Sequence, residues 1–192
     1  MNLRNKLEFA LFQAFSKFFS LFGIDSAKYF AAPLAFIFYY FIPLRKRIVI
    51  SNLKTAFPEL SGKELKKLAY KNYKSFAITV IEIMCIPVLS EEKLKQKIRC
   101  DKIDKINTKY HEYNSVILLT GHFGNWELGA MVVGALAEFP LSVLVKTQRN
   151  RIFSDWMNKA RSKFGNETIV VKKGFGAKEI FKALKSGGGV GI

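Results

Sequence analysis

The stretch Ser115–Ala130, SVILLTGHFGNWELGA, decides the fold. SVILLT (115–120) is short, apolar and rich in β-branched residues, the pattern of a strand buried on both faces. GHFGN follows as a glycine-containing turn, and WELGAMVVGALAE (126–138) reads as a helix. Downstream the alternation repeats. LSVLVK (141–146) is a second strand, Ile152–Phe164 a helix stopped by Gly165, ETIVVKK (167–173) a third strand and Ala177–Lys185 a third helix. The closing GGGVGI leads into a fourth strand. Strands and helices alternating at this spacing predict an α/β fold with a mostly parallel or mixed sheet and flanking helices.

Upstream the character changes. Residues 3–22, LRNKLEFALFQAFSKFFSLF, form a helical pattern with Leu3, Leu7, Ala10, Leu11, Ala14, Phe15 and Phe18 on one face. Tyr29–Leu44 then carries no charge, contains Pro33 and Pro43, and runs straight into Arg45-Lys46-Arg47. A spanning helix needs about 20 apolar residues, so this run is short. The expectation is a segment lying in or dipping into the bilayer with its basic residues at a cytoplasmic surface. A single span and a pair of helices packed on the protein itself are the alternatives. Residues 1–46 are therefore expected to be a membrane-associating helical region and 47–192 a catalytic domain. In the latter, Arg47 opens a helix ending near Phe57-Pro58. Ser61 with Glu64 forms a capping box whose helix stops before Pro87, and Ser90 starts another short helix.

The net charge of +16, from 31 Lys+Arg against 15 Asp+Glu, attracts polyanions in general. No zinc-finger spacing, RNP-like motif or basic zipper is present, so nucleic acid is not the expected partner. Basic charge beside a Phe-rich segment favours an anionic membrane surface. Cys85 and Cys100 lack metal-ligand spacing and read as ordinary thiols of a reducing compartment. No metal or nucleotide motif occurs, and no cofactor is expected.

The first strand delivers His122 to the carboxyl edge of the sheet, where open α/β folds place ligands. Gly121 and Gly124 bracket the turn, and Asn125 reads as an N-cap that puts Glu127 in the first helical turn. A carboxylate bonded to one ring nitrogen would fix the tautomer while the other nitrogen takes a proton from an acceptor hydroxyl. With no Ser or Cys in the turn, that hydroxyl would attack an acyl thioester directly. His111, in the polar stretch TKYHEYN, reads as a surface residue.

GHFGNWELG resembles the His-x-x-x-x-acidic signature of the glycerolipid acyltransferase superfamily, in the Glu form of the lipid A lauroyl/myristoyl acyltransferases. Arg47 with SNLKTAFPE, LVKTQRN and KEIFKALKSGGGVGI resemble other segments of that family. The resemblance implies His122 as general base, Glu127 as its orienting carboxylate, and Arg161, Lys146 and Asn150 as substrate-binding residues. It implies an acyl carrier protein as acyl donor, a phosphorylated glycolipid acceptor and membrane lipid as partners, and a place at the cytoplasmic face of a bacterial inner membrane. Another glycolipid or lysophospholipid acceptor, or an inactive membrane-binding remnant, are the competing expectations. Lys146-Thr147 stands where the family carries Arg-Pro, which loses the bidentate fork that suits phosphate. Family members also continue with an Asp-bearing segment after the strand begun by GGGVGI. The 192 residues are therefore expected to be a truncated form, inactive or poorly folded alone.

Overall fold

The computed structural model describes residues 2–171 and 176–192. In chain order it contains α1 (Leu3–Phe22), α2 (Ala27–Phe36), α3 (Lys46–Ala56), α4 (Gly62–Met84), α5 (Glu91–Lys97), α6 (Ile103–Tyr113), β1 (Val116–Leu118), α7 (Trp126–Leu136), β2 (Leu141–Val145), α8 (Arg151–Ser162), β3 (Asn166–Val170), α9 (Ala177–Lys185) and β4 (Gly189–Gly191). It divides into two compact units, Phe15–Cys85 and the residues up to Ala14 together with Ile86–Ile192.

In the Phe15–Cys85 unit, alanines set the packing. Ala27, Ala31 and Ala35 of α2 recur every fourth residue and are buried, as are Ala69, Tyr73, Ala77 and Ile81 of α4. Residues four apart share one helix face, so small side chains there give α2 and α4 smooth surfaces for close approach. Ser61 starts α4 with the expected capping box: its hydroxyl accepts from the Glu64 N–H, and the Glu64 carboxylate accepts from the Ser61 N–H at 2.9 Å. The Ser61 hydroxyl also donates to that carboxylate at 2.6 Å, and this bond, ahead of the one from the Ser61 N–H, holds the Glu64 carboxyl below its ordinary value. After α2 the chain widens into one π-helical turn, Ile37–Phe41, closed by the Ile42 N–H bonding to the Ile37 carbonyl. Lys46 lies 3.6 Å from the Tyr39 ring centroid, a cation–π contact, and Tyr73 donates to the Leu44 carbonyl.

Part of the expected apolar run is thus packed within its own unit, while the rest faces outward. Phe15, Phe18, Phe22, Tyr29, Phe41 and Leu44 are all exposed, with exposed Arg45 and Arg47 beside them in sequence. Among the described residues no single helix is long and apolar enough to cross a membrane. Leu3–Phe22 and Ile24–Phe41 meet the test only as a pair, bent by 98°.

Cys85, at the end of α4, is fully buried, and burial, with the Glu82 charge nearby, pushes its thiol up to about 11. At pH 8 only about a thousandth of such a thiol is thiolate, the reactive form. Cys100 is half-exposed. Maleimide labelling of the native protein is expected to modify Cys100 and leave Cys85 untouched until denaturant is added. Equal labelling rates would contradict this burial.

The second unit holds the sheet. All pairings among the described strands are parallel, in the order β1-β4-β2-β3, so every carboxyl end lies at one edge. The predicted α/β class with a parallel sheet is what is observed. β4 lies between β1 and β2 and is built of glycine and valine, because a Cβ on Gly189 would stand 2.3 Å from the Phe139 ring. That ring in turn lies 4.6 Å from the Tyr110 ring. Leu128, Met131, Leu141, Met157, Phe164 and Val190 form the buried core of this layer. Gly165 takes φ 82 just beyond α8, as a C-terminal stop should.

One expectation needs correcting. Among the described residues β1 lies at the edge of the sheet, paired to β4 alone, and Ile117 at its centre is 57% exposed, so it is not covered on both faces. A helix not anticipated from the sequence, α6, occupies Ile103–Tyr113 and has no side-chain cap at its start. The predicted strand end at 172–173 lies outside the described residues.

Candidate active site

The site is built on the loop that leaves β1. Sheet pairing runs beyond the strands proper, with the Thr120 N–H donating to Ile192 O at 2.8 Å and the Ile192 N–H to Leu118 O at 2.9 Å. The backbone then folds tightly, the Phe123 N–H bonding to Gly121 O at 2.9 Å, and Gly124 takes φ 54, which a side chain would strain. Asn125 ends the loop as the predicted N-cap, its Oδ1 accepting from the Leu128 N–H at 3.1 Å. His122 is exposed at the carboxyl edge of the sheet, and Phe123 beside it is 87% exposed.

Glu127 lies in the first turn of α7, as expected, but it does not hold His122. Both of its carboxylate oxygens are taken by Arg161 of α8, Nε to Oε2 at 2.9 Å and Nη2 to Oε1 at 2.6 Å. This bidentate fork is the strongest geometry open to an ion pair, and each side chain is only 13% exposed. A carboxylate so engaged has little reason to turn to a ring on an exposed loop, and no hydrogen bond joins His122 to Glu127. Arg161 is correspondingly not a solvated charge on a helix face. Its remaining terminal nitrogen, Nη1, donates to Asn158 Oδ1 one turn earlier at 2.9 Å.

The His122 ring rests instead against the Trp126 indole, with centroids 4.7 Å apart and planes inclined by 39°. Neither Trp126 nor Asn158 is assigned a chemical role from the sequence alone. The four-residue step from His122 to Trp126 and the three-residue step from Asn158 to Arg161 were the available signals.

The remaining candidates lie at the end of β2. Lys146 is exposed just past the strand. Asn150 caps α8, its Oδ1 accepting from the Phe153 N–H at 3.4 Å, and its amide nitrogen donates to Asn5 O at 2.9 Å and Glu8 Oε2 at 3.4 Å. Its polar atoms thus tie the start of α8 to α1, and Phe12 adds edge contacts to Phe153 and Trp156. Beside Asn150 opens a polar groove of about 380 Å³, lined in part by Arg4, Glu8, Gln148 and Arg149. The Glu8 carboxyl is held below its ordinary value, chiefly by its bond to Arg4. His111 pairs with Glu138 at 2.6 Å on the surface.

The arrangement offers one exposed imidazole on a sheet edge and, in the next turn of chain, a shielded carboxylate–guanidinium pair. An exposed imidazole can take up or release a proton. The profile of a family described as bacterial lipid A biosynthesis acyltransferase matches residues 3–192. Over 147 residues the chain is 25% identical to the lipid A biosynthesis lauroyltransferase of Escherichia coli (strain K12). Identity is 21% to the lipid A biosynthesis palmitoleoyltransferase of the same organism and to a lipid A biosynthesis acyltransferase of Shigella flexneri. Each alignment takes in 77% of this chain and 46% of the relative, so the chain spans about half the length of the curated relatives it matches. With a profile matched almost from end to end, the chain belongs to the bacterial lipid A biosynthesis acyltransferase family.

Proposed function

We propose that this protein serves the transfer of a fatty acyl group from an acyl carrier protein thioester to a hydroxyl of a phosphorylated lipid A precursor, at the cytoplasmic face of a bacterial inner membrane. The observation that carries the reading is the exposed His122 imidazole at the carboxyl edge of the sheet, in a chain of this family. His122 removes the proton of the acceptor hydroxyl as its oxygen attacks the thioester carbonyl. The tetrahedral intermediate collapses, the carbon–sulfur bond breaks, and the imidazolium returns the proton to the departing thiolate. Glu127, held by two parallel donors of Arg161, anchors the start of α7 behind the loop. Lys146, on the same sheet edge, supplies a point charge for a phosphate of the acceptor.

The test is an acyl-transfer reaction containing the protein, an acyl carrier protein thioester and a phosphorylated lipid A precursor, read by mass spectrometry. The expected product is the precursor heavier by one acyl group. Acylation of a lysophospholipid in place of the lipid A precursor would move the assignment within the superfamily. Vesicle binding without transfer to either acceptor would leave a membrane-binding role.

The proposed location has its own test. A phenylalanine moved from water into a lipid interface gains on the order of 1 kcal/mol or more. Replacing the exposed Phe15, Phe18, Phe22 and Phe41 together with serine is therefore expected to weaken partitioning to anionic vesicles roughly a hundredfold or more. Unchanged flotation with the vesicles would remove these side chains from the membrane contact.

A further inference from the structure

We infer that Trp126 is a positioning residue for His122, an inference that rests on the reading of His122 as proton acceptor. The imidazole belongs to an exposed loop whose next bend is a glycine at positive φ, and among the described residues its ring makes no hydrogen bond. An imidazole in that setting would sample several rotamers, most of them unable to meet an acceptor hydroxyl. Among the described residues one ring contact restrains it, the indole 4.7 Å away. The indole's place on the backbone is itself fixed. It sits on the first residue of α7, and the Asn125 cap fixes where that helix begins.

The contact has a chemical consequence as well as a steric one. When the ring takes the hydroxyl proton it becomes a cation, and an indole face within about 6 Å of a cation attracts it through the ring quadrupole. A centroid distance of 4.7 Å with planes 39° apart lets the imidazolium meet that face obliquely. The interaction strengthens as charge develops and so favours the transition state over the resting enzyme.

The charged groups around the loop do not replace it. Glu127 of α7 and Arg161 of α8 satisfy each other, and Lys146 at the end of β2 is a cation. Trp126 thus performs the orienting work that the sequence assigned to Glu127. No atom is exchanged with it, and the proton passes from hydroxyl to His122 and on to the thiolate.

The experiment pairs a spectroscopic readout with kinetics. Histidine ring protons of the detergent-solubilised chain are observed by NMR, with His122→Asn identifying the His122 signals. Wild-type His122 protons are expected to be displaced by the indole ring current, to lose that displacement in Trp126→Leu and to keep part of it in Trp126→Phe. In the acyl-transfer assay Trp126→Leu is expected to lower kcat about tenfold with KM within about twofold, and Trp126→Phe to recover most of it. Should the leucine variant not fold, the wild-type spectrum and the phenylalanine variant decide. Wild-type His122 protons at their urea-unfolded positions, or full kcat in the leucine variant while His122→Ala is inactive, would overturn the inference. Full turnover by His122→Ala would instead remove the proposed reaction, and the NMR comparison would still judge the ring contact by itself.

Discussion

Arg161→Ala is expected to destabilise the protein by roughly 3–5 kcal/mol, the range for removing one partner of a buried pair. Arg161 and Glu127 are each 13% exposed, too little for water to compensate a carboxylate stripped of its counter-charge. The loss reaches further than one pair. Three guanidinium nitrogens are engaged, two on Glu127 and one on Asn158, so the side chain ties the start of α7 to α8. Arg161→Lys is expected to recover only part of the loss, because an ammonium cannot present two parallel donors. Urea unfolding measures the effect, and a double variant with Glu127→Gln shows its origin. If the pair is the cause, the double variant is less destabilised than the two single losses added together. Additive losses, or an Arg161→Ala variant within about 1 kcal/mol of wild type, would show that the fork contributes little.

His122→Ala should behave in the opposite way. The side chain is exposed and makes no hydrogen bond that the fold relies on, so stability is expected to stay within about 0.5 kcal/mol. Acyl transfer is expected to fall roughly 10²–10⁴-fold, the usual contribution of a positioned general base. Vesicle binding is expected to be unchanged, since the proposed membrane contacts of α1 and of the segment Ile37–Leu44 do not involve the loop. Stability retained while transfer collapses marks a chemical role. A parallel loss of both would mark a structural one.

What was legible in the sequence was whatever local chemistry dictates. The capping box at Ser61, the Asn125 cap and the Gly165 stop depend on residues within a turn or two, and each is found where the sequence placed it. The same holds for the strand–helix alternation after Asn114. What escaped depends on partners far along the chain. α6 is a polar helix with no side-chain cap at its start. It is held by Tyr110, whose hydroxyl bonds to Gly187 O at 3.0 Å, and by Asn107, which accepts from the Glu138 N–H. Nothing in TKYHEYN announces those contacts. Burial on both faces of β1 was inferred from apolarity alone, which cannot distinguish an edge strand from a central one.

The candidate site shows the same division. Its motif placed His122, Asn125 and Glu127 in one turn of strand, loop and helix, and their backbone positions follow from local rules. The side-chain partnerships do not. Glu127 is bound by a residue 34 positions away, which leaves the indole four residues from His122 as the group touching the imidazole.

The proposed reaction depends on His122 as the acceptor of the hydroxyl proton, and chemical rescue tests that most directly. The loop is exposed, so deleting the imidazole leaves a place that free imidazole from solution can reach. Acyl transfer by His122→Ala should be slow without imidazole and rise, saturably, as it is added, while wild type is unaffected. Wild-type rates in His122→Ala without any imidazole would contradict the account.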